Sequence, residues 1–134
     1  MAIRVLAFCV GMIFSTQCFA GSNLEPMFGS VPLTEEQQRL NDEFVETILA
    51  SGMTREKGAK LGVEKAFALM REKDFETSMK RFNQAWLLDA ENGNVYYGFA
   101  LLSAYASKPD DVVEKFFKTS FSKNGTSTTA FSDY

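Results

Sequence analysis

Apolar side chains recur every three or four residues along most of this chain, and that spacing restricts its fold more than any other feature. The recurrence is clearest where large apolar residues follow one another at intervals of four, three and four positions: Phe75, Met79, Phe82 and Trp86. Such intervals match the turn of an α-helix, whereas a half-buried strand alternates at every second residue. No strand pattern competes, so the sequence predicts an all-α fold.

Capping residues divide the apolar pattern into about five helices. Thr34, Thr54 and Asp74 are suitable N-cap residues, and Gln37 stands three positions after Thr34, as in a capping box. Pro109 fits the first turn of the last helix. Because the connecting turns are short, we expect antiparallel helical hairpins in one domain over residues 34–122.

Residues 1–20 are typical of a secretory signal peptide. Arg4 is their only charge, an apolar run extends from Val5 to Phe14, and Cys18 and Ala20 are small residues three before and one before a cut after Ala20. The apolar run is about ten residues long, too short to span a hydrocarbon layer of ~30 Å comfortably. We therefore expect export and a mature chain that begins at Gly21.

Two alternatives remain open for this N-terminal segment. The first is a buried N-terminal helix. The second is a lipoprotein, in which Cys18 would be lipidated and would tether the mature chain to a membrane. Ser15 and Gln17 stand where the usual lipidation signal has Leu and a small residue.

Segments without helical periodicity flank the predicted domain. Residues 21–33 contain Pro26, Gly29 and Pro32, and we expect them to form an extended linker. Residues 123–134 are rich in Ser and Thr, and we expect a disordered tail there.

Charge and missing residue types restrict the function. The chain has 14 Lys and Arg against 17 Asp and Glu, and loss of Arg4 would leave a net charge of −4. An acidic chain lacks the basic patches that neutralise phosphates, so we expect no nucleic-acid partner.

The chain has no histidine, and its two cysteines, Cys9 and Cys18, both lie in the predicted signal peptide. Nucleophile systems built on Cys–His or Ser–His–Asp and the usual zinc sites are therefore excluded from the mature chain. We expect a protein that is not an enzyme and that needs no metal or cofactor.

The central segment is similar to a tetratricopeptide (TPR) repeat. Small Ser78, aromatic Phe82 four positions later and small Ala85 three after that resemble the second helix of such a repeat. Three residues after the following turn resemble the start of the next repeat: Tyr96, Phe99 and Ala100. The resemblance implies two TPR-like repeats over roughly residues 59–126.

The chain also resembles a family of short exported bacterial TPR proteins, many of which are lipoproteins. The likeness lies in PMFG at residues 26–29, RFNQAWLLD at residues 81–89 and VYYGFA at residues 95–100. The role of that family is undefined. The resemblance therefore implies a fold and a compartment: periplasmic, or membrane-attached if Cys18 is lipidated.

In repeats of this kind, the first helix of each pair lines the concave surface, which is where partners bind. The residues expected to form a partner-binding groove lie on the second and fourth helices: Phe67, Met70, Arg71, Asn94, Tyr97, Leu101 and Tyr105. We therefore expect a cell-envelope interaction module that binds an unidentified protein or peptide. In the structural alternative, Phe67, Met70, Tyr97 and Leu101 belong to the core.

Two further hypotheses concern the surplus of apolar residues. Thirteen Phe in the chain and several aromatic residues on the fourth helix suggest a carrier of a small apolar ligand. The fifth helix has more apolar residues than one helix contact usually covers, which suggests a homo-oligomer or a docked partner. A closed internal cavity would favour the carrier, and an open groove would favour the interaction module.

The first prediction concerns processing. Mass spectrometry of the protein recovered from a producing cell should show loss of residues 1–20 and an N-terminus at Gly21. An acylated Cys18 would establish the lipoprotein alternative. An intact Met1 in the folded protein would contradict export.

Overall fold

The computed structural model describes residues 22–123, and the α-helices within this range number five. Their bounds are α1 (Glu35–Ala50), α2 (Arg55–Arg71), α3 (Phe75–Leu88), α4 (Gly93–Tyr105) and α5 (Asp110–Ser122). Adjacent helices pack as hairpins, most extensively α2 with α3 and α4 with α5. The all-α prediction is confirmed. The predicted signal peptide, Cys18 and residues 124–134 of the predicted tail lie outside the described residues.

Side-chain caps begin the first three helices at the predicted residues. The Thr34 hydroxyl accepts from the Gln37 N–H at 3.1 Å, and the Gln37 side chain accepts from the Thr34 N–H at 3.0 Å. This reciprocal pair is the predicted capping box. Thr54 and Asp74 cap α2 and α3 in the same way, each accepting from the N–H three residues later. The caps satisfy backbone donors that have no partner within the helix.

An aromatic cluster shared by α2, α3 and α4 forms the core. The ring of Phe82 is fully buried and lies edge-on to Phe67, with centroids 5.0 Å apart, and 6.3 Å from Phe99. At Gly98 the α4 backbone lies against this ring, and a Cβ there would come within 2.2 Å of it. Trp86, on the same predicted stripe as Phe82, is only partly buried.

Buried hydroxyl groups join the helices of each hairpin. The Ser78 hydroxyl of α3 donates to the Ala66 carbonyl of α2 at 2.8 Å. The Ser120 hydroxyl of α5 donates to the Gly93 carbonyl at the start of α4 at 2.7 Å. Small residues at these positions bring the helices close together, and the hydrogen bonds satisfy hydroxyls that are shielded from water.

The N-terminal segment is folded where the sequence predicts an extended linker, and this corrects that expectation for residues 22–30. Pro26–Ser30 is a short helical turn, and its last four residues have φ between +52° and +79°. Three of these residues carry side chains, and a left-handed conformation costs each about 1–2 kcal/mol. Contacts with the rest of the protein must therefore offset this cost.

Asn83 of α3 provides those contacts. Its side-chain oxygen accepts from the Met27 N–H at 2.8 Å, and its amide donates to the carbonyls of Asn23 and Glu25 at 3.2 and 2.9 Å. Asn83 is fully buried, and the nearby ring of Phe28 is also buried. We call residues 22–30 with Asn83 the N-terminal clasp. Local sequence could not predict it, because its partners lie about 60 residues apart.

Helix α1 is the least packed of the five. None of its residues is buried, although Phe44, Val45 and Ile48 lie against the core in part. Packing is closest near its C-terminal end, where a Cβ on Gly58 would lie 2.9 Å from an Ile48 methyl group. Leu40 remains 51% exposed. Part of the apolar stripe of α1 therefore faces solvent.

The second prediction tests the contact between Phe82 and Gly98. Phe82→Ala should reduce the free energy of unfolding by about 3–5 kcal/mol because it leaves a cavity. Gly98→Ala should also destabilise, by about 1–3 kcal/mol or more, because the added methyl meets the ring. In the double variant the added methyl group enters the space that the ring has left. The loss of unfolding free energy in the double variant should therefore be less than the sum of the losses in the two single variants. Urea unfolding followed by circular dichroism measures all three, and additive costs would contradict the contact.

The third prediction concerns the N-terminal clasp. Asn83→Ala leaves two carbonyls and one N–H without this partner, so the free energy of unfolding should fall by about 1–3 kcal/mol. Chymotrypsin should cleave at Phe28 faster than in the wild type while the helices persist. Gln84→Ala is the matched control, since the one bond of the Gln84 side chain to another described residue is with the exposed Arg81, at 3.0 Å. Equal cleavage of the two variants would contradict the role of Asn83.

Candidate partner-binding site

Three of the seven predicted groove residues lie in the interior: Phe67, Met70 and Tyr97. The ring of Tyr97 lies 6.3 Å from Phe67 and 5.5 Å from Phe117 of α5. Burial raises the pKa of the Tyr97 hydroxyl, because the charged form would lose its hydration. These positions favour the alternative in which the three side chains belong to the core.

The other four predicted residues retain accessible surface. Asn94 and Leu101 are half-buried, and Arg71 and Tyr105 are exposed. Both α2 and α4 run antiparallel to α3, so their C-terminal ends, with Arg71 and Tyr105, lie at the same end of the bundle. Asn94 lies 11 residues before Tyr105, about 16 Å away along the helix. The structure therefore divides the predicted groove between two ends of α4.

An apolar cleft of about 220 Å³ lies beside Tyr105. The residues that line it come from the N-terminal clasp, α3 and the end of α4: Leu24, Phe75, Glu76, Met79, Leu102, Tyr105 and Ala106. Tyr105 stacks on Phe75 with centroids 4.7 Å apart and planes inclined by 22°. Even so, Tyr105 is 59% exposed. The stack therefore presents aromatic surface to solvent at the cleft.

Two elements place the residues of this cleft. Phe75 is the first residue of α3, immediately after the Asp74 cap, so the start of the helix fixes its position. Leu24 belongs to the N-terminal clasp, which Asn83 holds and which the Glu25–Lys108 ion pair fastens at 3.0 Å. The sequence predicts neither Phe75 nor Leu24 as a site residue. The helical spacing of apolar residues on α3 places Phe75 on the apolar face of that helix, but nothing in the sequence near Leu24 indicates that it lines a cleft.

The chemistry of the cleft is that of apolar contact. Among the described residues that line it, Glu76 is the one carboxylate, and the other side chains are apolar apart from the Tyr105 hydroxyl. Residues 22–123 contain no group of three or more potential metal-ligating side chains. In the same range, no helix is both long enough and apolar enough to cross a bilayer.

The volume of the cleft distinguishes between a small organic ligand and the side chains of a protein partner as its occupant. Sites for small organic ligands usually enclose about 300–1,000 Å³. A cleft of about 220 Å³ that opens to solvent is smaller, and it suits one or two apolar side chains of a peptide or protein.

Searches of protein-family models, of curated proteins and of solved structures find no significant match.

Proposed function

We propose that this protein is an interaction module of the bacterial cell envelope, and that it binds a protein or peptide at the cleft beside Tyr105. The observation that carries the proposal is the stack of Tyr105 on Phe75 at the rim of an apolar cleft. Aromatic residues that remain exposed beside a pocket are typical anchors of protein interfaces. An apolar side chain of the partner enters between Leu24 and Tyr105.

The contact extends along α4 from this anchor. Leu101 lies about one turn before Tyr105 and is half-buried, so it adds apolar surface on the same helix. Asn94 lies near the other end of α4 and orients a longer segment by polar contact. A bound segment that reaches both ends must span about 16 Å, or roughly five extended residues.

The predicted signal peptide and the TPR resemblance support the compartment and the class of function. Repeats of this kind usually bind proteins, and residues 1–20 direct the chain out of the cytoplasm. The carrier hypothesis receives less support, because Phe82 fills the space between α3 and α4 so closely that position 98 has no room for a Cβ. Two rings in this region, those of Phe82 and Phe99, are fully buried.

The fourth prediction tests this site in cells. A photo-cross-linking residue at position 105 should capture a discrete protein of the envelope. The same residue at position 118 is the control, since the side chain of Lys118 is well exposed on α5. Capture should occur at 105 and not at 118. Equal capture at both positions, or none at 105, would contradict the site.

The partner identified in this way allows a binding measurement. Tyr105→Ala should weaken binding by about 30-fold, the effect of losing one anchor worth about 2 kcal/mol. Tyr105→Phe keeps the ring on Phe75, so binding should fall much less. Because Tyr105 is exposed, neither change should alter the helical circular dichroism spectrum. Unchanged affinity of Tyr105→Ala would show that the partner uses another surface.

A further inference from the structure

Two exposed leucines on neighbouring helices carry charges of opposite sign around them. Leu40 of α1 is 51% exposed, and Leu61 of α2 is 45% exposed. On a helix, the residues three and four positions away share the same face. Leu40 therefore has Glu36 and Glu43 beside it, whereas Leu61 has two basic residues and one acidic residue beside it: Lys57, Lys65 and Glu64.

The charge difference extends over the whole of both helices. Helix α1 has five acidic residues and one basic residue, a net charge of −4, and α2 has five basic and two acidic residues, a net charge of +3. Arg39 bonds Glu36 and Glu43 within α1 and holds the pKa of Glu36 below its ordinary value. Within residues 22–123, no ion pair joins α1 to α2. The opposite charges are therefore not used between these helices within one chain.

A second apolar cleft lies where these helices meet α3. Its volume is about 220 Å³, and Phe44, Ile48 and Leu61 form part of its wall. Lys65 and Arg81 place positive charge along it. Small residues also line the cleft, and they are packed within the chain: Gly58 against Ile48 and Leu88, and Gly62 against Ala85.

We propose that a second copy of this chain docks on the face formed by α1 and α2, giving a two-fold symmetric dimer. In such a dimer a surface patch meets the same patch of the partner, so α1 of each copy faces α2 of the other. Leu40 of one copy then packs near Leu61 of the other. The acidic residues beside the first leucine face the basic residues beside the second, and the symmetry forms this contact twice.

Charge complementarity decides between a second copy and other occupants. A parallel or antiparallel pairing of α1 with α1 would bring two helices of net charge −4 together, which is repulsive. Pairing α1 with α2 of the partner places −4 against +3 at both contacts. The chain itself therefore supplies a complementary partner for each half of this face. The surface is separate from the cleft beside Tyr105, so the dimer does not depend on the function proposed above.

The fifth prediction is measured by sedimentation velocity on the protein purified from a producing cell. The wild type should form a dimer that weakens when the ionic strength rises from about 0.05 M to about 0.5 M, since salt screens exposed charges. Leu61→Glu should raise the dissociation constant at least about 30-fold, as loss of a central anchor does. Phe121→Glu is the control for nonspecific apolar association. Phe121 is 64% exposed on α5, so nonspecific apolar association would weaken in Phe121→Glu at least as much as in Leu61→Glu.

Charge reversal gives a sharper test, because each variant alone should be monomeric. The first variant combines Glu36→Lys with Glu43→Lys, and the second combines Lys57→Glu with Lys65→Glu. Alone, each brings like charges together at both contacts of the dimer. Mixed in equal amounts, they should form a heterodimer in which both contacts are attractive. Circular dichroism verifies that each variant remains helical.

Specific outcomes overturn the proposal. A wild type that remains monomeric at about 100 μM, where even a weak interface would be half occupied, excludes the second copy as occupant. A dimer lost in Phe121→Glu but kept in Leu61→Glu places the interface on α5. Charge-reversed variants that fold but do not associate on mixing show that the α1–α2 pairing is wrong.

Discussion

The ring of Phe82 occupies the space that a side chain at position 98 would need, and the arrangement of three helices depends on this contact. Because Gly98 has no Cβ, the backbone of α4 approaches the face of α3 closely enough to enclose the ring completely. The same ring meets Phe67 of α2 edge-on. One side chain on α3 therefore fixes the distances to both neighbouring helices, and with them the position of Tyr105 at the end of α4.

The next residue along α3 serves a different purpose. Asn83 faces the N-terminal segment and completes the hydrogen bonds of a turn that is unfavourable by itself. Adjacent residues of α3 thus contact different parts of the protein: Phe82 packs in the core, and Asn83 binds the N-terminal clasp. The division matters for the candidate site, because the clasp carries Leu24 to the cleft where Phe75 and Tyr105 stack. A helix at the centre of the fold controls both walls of that cleft.

Local sequence determines those parts of the structure that depend on neighbours in the chain. Thr34, Thr54 and Asp74 begin helices where their side chains can cap them, and the apolar spacing gives the all-α class. Burial on the first helix of each hairpin could not be predicted in this way. Tyr97 is covered because Phe117, 20 residues later, lies against it, and the sequence alone does not give the distance between those helices.

The left-handed turn near the N-terminus is even harder to predict from local sequence. Pro26 and Gly29 indicate a break in regular structure, and they do so whether the segment is extended or tightly folded. What selects the folded form is Asn83, which also belongs to the helical pattern of α3. Hydrogen-bonding capacity at that position is visible in the sequence, but its partner is not. The candidate site was predicted only in part, since the TPR resemblance implies Tyr105 whereas Leu24 depends on the clasp.

Helix α1 shows how packing and association are linked in the proposed dimer. A helix of 16 residues is marginal in water by itself, and α1 has no buried residue to stabilise it. Its capping box contributes about 1 kcal/mol, and its Arg39 ion pairs contribute little because exposed ion pairs are weak. The main stabilising contacts are therefore those of Phe44, Val45 and Ile48 with the core. A second copy that covers Leu40 would add apolar burial to this helix in particular, and binding to the folded state alone stabilises it by mass action. Dimer formation and the order of α1 would then rise and fall together with protein concentration.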